Sequence, residues 1–132
     1  MNQRGLLMRR IVVACAAAAM VAGLSPPAQA DHRPNTYCSP SGDICQSAAK
    51  VNGVRKLRVT LAAKYFDRYK LCVIPPEGSR TCKTFKIEKQ GGLYGDTVRW
   101  DAQFPDEGNG AYTVVWKMTS GDRFGKKLGF HR

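Results

Sequence analysis

The sequence predicts an all-β, antiparallel sandwich of six or seven strands stapled by two disulfides. Three observations predict it. Apolar residues recur with a two-residue period in short runs, and clusters of Gly, Pro, Asn, Asp and Ser separate the runs, as in half-buried strands joined by turns. No helical period appears after the amino-terminal thirty residues,. Four cysteines remain once an export signal is set aside, and an even number in an exported domain reads as disulfides. A small open barrel is the architectural alternative.

Taken in order, Arg4, Arg9 and Arg10 precede an apolar run from Ile11 to Leu24, and Ala28-Gln29-Ala30 closes it. A basic start, a short apolar middle and a small-x-small exit make a secretory signal cut after Ala30. The run is short and alanine-rich for a membrane span, and Cys15 lies inside it, away from the position of a lipid-bearing cysteine. Export to the periplasm, the cell envelope or the medium is expected, with no span left after cleavage. Residues 1–30 hold three arginines and no acid, so residues 31–132 carry +8 where the whole chain carries +11. That length suits one modest core. The basic excess favours acidic partners.

Residues 31–52 are polar and rich in turns, and read as a disulfide-tied arm with a short strand near Ile44 to Ala48; residues 53–132 read as the sandwich. Cys38 and Cys45 flank Ser39-Pro40-Ser41-Gly42-Asp43, and Cys72 and Cys82 flank a Pro-Pro-Glu-Gly-Ser turn. Three pairings are open in principle. The turns favour Cys38–Cys45 and Cys72–Cys82.

Leu57, Val59 and Leu61 alternate with Lys56, Arg58 and Thr60, a half-buried strand that Ala63 and Tyr65 extend. Asp67-Arg68 turns the chain. Tyr69, Leu71 and Val73 then alternate with Lys70, Cys72 and Ile74. With Cys72 set opposite Cys82 on the outer face, Leu71 falls against Lys83, Tyr69 against Phe85 and Arg68 against Lys86. The aromatic pair is favourable and the like-charged pair is not. Residues 90–96 read as a loop. Val98, Trp100, Ala102 and Phe104 alternate with polar neighbours up to Pro105, which ends that strand. Trp100 and Trp116 share parity with apolar residues and are assigned to the core. The chain is organised around residues 110–118, where Tyr112, Val114, Trp116 and Met118 share one face. Leu128-Gly129-Phe130 is the last strand.

The Gly-x-Tyr-x-Val pattern at Gly110, Tyr112 and Val114 resembles strand F of immunoglobulin-like sandwiches, and implies that the Tyr112 hydroxyl bonds back into the preceding corner. The segment from Gly110 to Phe130, about a fifth of residues 31–132,, resembles the end of CopC-like periplasmic copper-binding domains. That family has a histidine in the following turn; here Asp122 and Arg123 stand there. The resemblance implies the fold and not the metal, so no metal or cofactor is expected. His32, beside the expected amino terminus, and His131 are the only histidines.

No phosphate loop or nucleophile elbow is present, and the acids Asp101, Asp106 and Glu107 fall in a turn region, where acids are ordinary. A non-enzyme is expected: a binding module whose basic face, built from Lys56, Arg58, Arg68, Lys70 and Lys86 in one sheet with Tyr65 and Phe66 near a hairpin tip, meets an acidic macromolecule or partner protein at the envelope. A copper-handling protein and a small secreted hydrolase are the alternatives.

Overall fold

The structure is a computed structural model that describes residues 33–132; the export signal, the cut after Ala30 and His32 lie outside the described residues. Nine strands form two antiparallel sheets. They are β1 (Thr36–Cys38), β2 (Ile44–Val51), β3 (Val54–Leu61), β4 (Arg68–Ile74), β5 (Thr81–Lys86), β6 (Glu88–Gln90), β7 (Leu93–Arg99), β8 (Ala111–Met118) and β9 (Leu128–His131), with one helical turn, α1 (Trp100–Gln103), after β7. One sheet runs β1-β2-β3-β7-β6 and the other β5-β4-β8-β9. The expected strands are all represented, and β1 and β6, three residues each, are additional edge strands.

Alternation decides the faces. Leu57, Val59 and Leu61 of β3, Ala48 of β2 and Val98 of β7 turn inward from one sheet; Tyr69, Leu71, Val73, Tyr112, Val114, Trp116, Leu128 and Phe130 turn inward from the other, and all belong to one buried cluster. Val115, apolar on the outward parity, is only 4% exposed. It lies directly opposite Cys72, beside the disulfide. Two polar links cross the interior. The Tyr69 hydroxyl donates to Asp96 Oδ2 of the opposite sheet at 2.9 Å. Gln46, 3% exposed, accepts from the Lys126 N–H at 2.9 Å through Oε1 and holds the β8–β9 loop to β2.

Both disulfides pair as the turns suggested, Cys38–Cys45 and Cys72–Cys82. Each joins residues directly opposed on neighbouring strands. The β4–β5 register is also the expected one: Arg68 opposes Lys86, Tyr69 opposes Phe85 and Leu71 opposes Lys83. The Tyr69 and Phe85 rings lie 5.9 Å apart.

Residues 33–52 supply β1 and β2, and β2 pairs with β3 from end to end. Asn52 and Gly53 join them in a two-residue turn with both φ values positive, 53° and 80°, a geometry that Asn-Gly adopts at little cost and that matches the twist of a hairpin. The boundary read at residues 52 and 53 is the tip of this hairpin. Ahead of β1, the Pro34 carbonyl accepts from Gly129 N–H of one sheet and the Asn35 carbonyl from Ala48 N–H of the other.

Three expectations need correction. The strand ending at Leu61 does not continue through Ala63 and Tyr65; residues 62–67 instead carry the chain from one sheet to the other. Residues 90–96 are not a loop: Gly91 and Gly92 make a tight turn and β7 begins at Leu93. Trp100 to Gln103 is a helical turn and not strand, closed by the Phe104 N–H to the Trp100 carbonyl at 2.9 Å. A helical turn brings residues four apart to one side, so Trp100 and Phe104 both reach the core, as strand alternation would also place them. Ala102 tells the two apart, because it is exposed.

Candidate functional site

Opposed residues of antiparallel strands present their side chains on the same face, about 4.5–5.5 Å apart at Cβ. On the four-stranded sheet this rule gathers cations. β4 sends Tyr69, Leu71 and Val73 inward and therefore Arg68 and Lys70 outward. Arg68 opposes Lys86 of β5. Lys70 opposes Thr84 on one side and Lys117 of β8 on the other, and Lys117 meets Arg123 of the following loop at an isolated bridge. Two adjacent rows result, Lys86–Arg68 and Lys70–Lys117–Arg123.

None of these five cations has an ion-pair partner among the described residues. The outward positions of the four strands contain no Asp or Glu. The nearest acids in sequence sit in turns: Asp67 is paired with Lys64 at 3.1 Å, and Asp122 precedes Arg123. Directly opposed like charges oppose folding. Long stems let the charged tips splay into water, and an anion lying across the rows would remove the repulsion.

Lys56 and Arg58 are not part of this surface. They lie on β3, in the other sheet, where Lys56 opposes Ala49 and Arg99, and Arg58 opposes Ser47 and Thr97. The single stripe expected from sequence is thus split between the two outer faces of the sandwich. Parity along a strand says which face a residue takes but not which sheet the strand joins. Lys117 and Arg123 were missed for the same reason: only the β4–β8 ladder sets Lys117 beside Lys70, and Arg123 sits in a turn without alternation.

The two aromatic candidates also separate. Phe66 packs on Phe124, with ring centroids 4.9 Å apart, at the edge of the core. Tyr65 is 51% exposed. It lines a groove of about 430 Å³ with Ile44, Met118 and Phe124 at the end of the sandwich.

The structural assignments have clear geometry. Tyr112 is buried; its hydroxyl donates to the Gly108 carbonyl at 2.7 Å and accepts from the Glu107 N–H at 2.9 Å. Its ring stacks on Phe130 at 5.0 Å, and Trp100 meets both rings edge-on. The Arg55 guanidinium lies 4.5 Å from the Phe130 ring centre and donates to the Ala48 and His131 carbonyls. Trp100 and Trp116 are buried, and neither indole N–H finds an acceptor.

The neighbouring acids are engaged. Asp101 pairs with Arg99 at 3.2 Å and Asp106 with Arg132 at 2.6 Å. The Gly108 N–H, then Arg132 and Tyr112, hold the Asp106 carboxyl below its ordinary range. Among the described residues no group of three or more His, Cys, Asp and Glu side chains is placed to hold a metal ion, and no helix is long and apolar enough to cross a membrane. Comparison with models of protein families, with curated proteins and with solved structures found no significant match.

Proposed function

We propose that this protein is an exported, non-enzymatic binding module whose four-stranded face takes an acidic macromolecule. The observation that carries the reading is the pair of unneutralised rows Lys86–Arg68 and Lys70–Lys117–Arg123, with no acid at the outward positions of their sheet. Flat, unpaired positive charge of this kind concentrates polyanions and releases their counterions, so binding falls steeply with salt. Two disulfides fit an oxidising compartment outside the cytoplasm,. We read the sandwich as immunoglobulin-like, on the support of the Tyr112 hydroxyl that returns to the corner before β8,.

The test is binding to immobilised heparin over a salt series. Lys70→Glu, Lys86→Glu and Lys117→Glu together should greatly weaken retention, so that the protein elutes at much lower salt, with little change in melting temperature. Lys50→Glu, Lys89→Glu and Lys127→Glu impose the same charge change away from the rows and should leave most of the retention. Equal losses in the two triple variants would mean that net charge acts without a site. No retention of the wild type at low salt would end the reading.

A further inference from the structure

We infer that the opposite face of the sandwich, the outer side of the five-stranded sheet, is a second anion-binding surface, so that one molecule bridges two chains of a linear anionic polysaccharide. The inference rests on the proposed function for its first surface and on separate residues for its second.

Arg58 is the centre of the second surface. The ladder sets it in the row Thr36–Ser47–Arg58–Thr97, a guanidinium with hydroxyl neighbours on both sides. Thr60 follows in the next row, opposite Gly95. Gly95 has no side chain, because a Cβ there would stand 2.3 Å from the Val59 carbonyl oxygen. Thr36, Ser47, Arg58 and Thr60, with Tyr37 and the Cys38–Cys45 disulfide, line a groove of about 550 Å³ across this face. Lys56 adds a second cation one row away, and neither Lys56 nor Arg58 has an ion-pair partner among the described residues. Arg99, in the row of Lys56, is held by Asp101. Glu88, on the edge strand β6, is the one acid at an outward position of this sheet. Guanidinium and hydroxyl groups together suit sulfate or carboxylate oxygens, the first by charge-assisted hydrogen bonds and the second by donating to the remaining lone pairs.

Two features select the ligand class and the bridging geometry. No aromatic residue occupies an outward position on any of the nine strands. Single-stranded nucleic acids are held largely by base stacking on aromatic side chains; the one aromatic in the groove, Tyr37, packs its ring against the core and has Lys126 Nζ 5.8 Å from its centre. A sulfated or uronic polysaccharide needs only cations and hydroxyls at sugar spacing. The two surfaces also point in opposite directions, since each is the outer side of one of two sheets that share a core. A stiff polymer lying on one face cannot also lie on the other. Two faces therefore hold two chains.

The experiment uses the secreted protein with a heparin-derived hexasaccharide, read by native mass spectrometry, and with long heparin, read by light scattering. The wild-type monomer should take two hexasaccharides, and with long heparin should scatter strongly near equivalence and clear in excess polymer. Lys56→Glu with Arg58→Glu, or the milder Lys56→Gln with Arg58→Gln if the first pair perturbs folding, should leave one hexasaccharide and no scattering maximum. Lys70→Glu with Lys117→Glu should do the same, and the four changes together should leave none. A wild type that takes one hexasaccharide, lost only in the Lys70 and Lys117 variant, would overturn the second surface while leaving the proposed function standing; a wild type that takes none would overturn both. A single-stranded oligonucleotide of equal charge should bind about tenfold more weakly, for want of stacking partners. Equal or tighter binding of the oligonucleotide would overturn the assignment to polysaccharide.

Discussion

Tyr112 and Asp96 show how single side chains hold the two sheets in place. The Tyr112 hydroxyl both donates to the Gly108 carbonyl and accepts from the Glu107 N–H, so Tyr112→Phe deprives two backbone groups of a partner. A loss of roughly 1–3 kcal/mol in denaturant unfolding is expected; an unchanged midpoint would show that the hydroxyl does not brace the corner. Asp96 faces inward from β7 and meets the Tyr69 hydroxyl at 2.9 Å. Burial pushes its carboxyl above the ordinary range, aided by the charge of Glu88, while the Tyr69 hydroxyl and the Thr97 N–H oppose the shift. Burial, and then the Asp96 charge, push the Tyr69 hydroxyl up as well, so Tyr69 remains the donor. A carboxyl raised in the folded state stabilises fully below its unfolded value, and that contribution is lost as pH rises through the folded value. Asp96→Asn keeps an oxygen for Tyr69 and removes the charge. It should therefore melt higher than the wild type at neutral pH, with the gap closing as pH falls through the raised folded-state value toward the ordinary carboxylate range,. A variant that melts lower at neutral pH would mean that the charged acceptor is the more stabilising one.

At the scale of the element, hairpin chemistry and strand contact decide what can be changed. Gly95 is required by proximity and not by its own conformation: its Cβ would meet Val59 O at 2.3 Å and Thr60 Cα at 3.2 Å. Backbone atoms cannot rotate aside, so Gly95→Ala must push β7 away from β3. A cost of about 1–3 kcal/mol is expected, of the order seen for overpacked sites. Gly92→Ala, at a position with open space around it, is the control. Equal melting temperatures for the two variants would show that β3 and β7 are less closely apposed than described. The Cys72–Cys82 bond acts on the same scale: it ties β4 to β5, the strands that carry Arg68, Lys70 and Lys86. Gln46 ties the loop that carries Arg123 to β2 through the Lys126 N–H.

For the whole molecule, charge and compartment are the testable properties. The mass of the secreted protein should correspond to a chain beginning at Asp31 and be four hydrogens lighter than its reduced form, two for each disulfide. A mass that begins elsewhere would overturn the signal reading, and an unreduced mass equal to the reduced one would show that the thiols stay free. The net charge of +8 over residues 31–132 draws polyanions to the molecule from a distance that salt shortens. The arrangement of that charge on two outer faces, and not its sum, is what the paired charge-reversal variants examine.

Local periodicity in the chain was enough to determine the all-β class, both disulfides and the β4–β5 register. The reason is that side-chain direction alternates every residue along a strand, and two cysteines flanking a turn leave one register that joins them. Trp100 and Trp116 could be assigned to the interior because apolar neighbours share their parity, even though Trp100 lies on a helical turn whose spacing resembles alternation. The Asn52-Gly53 hairpin has a local signal in the chain, but the polar, turn-rich residues before it resemble an arm more than a strand,. Only the tertiary structure decided which sheet each strand joins. Residues 62–67 cross between sheets, and that crossing moves Lys56 and Arg58 to one face and leaves Arg68, Lys70 and Lys86 on the other. It also sets Lys117 beside Lys70 and Arg123 beside Lys117. These neighbours are distant in sequence and are joined by backbone ladders, whose partners depend on the packing of the whole chain and not on any local pattern.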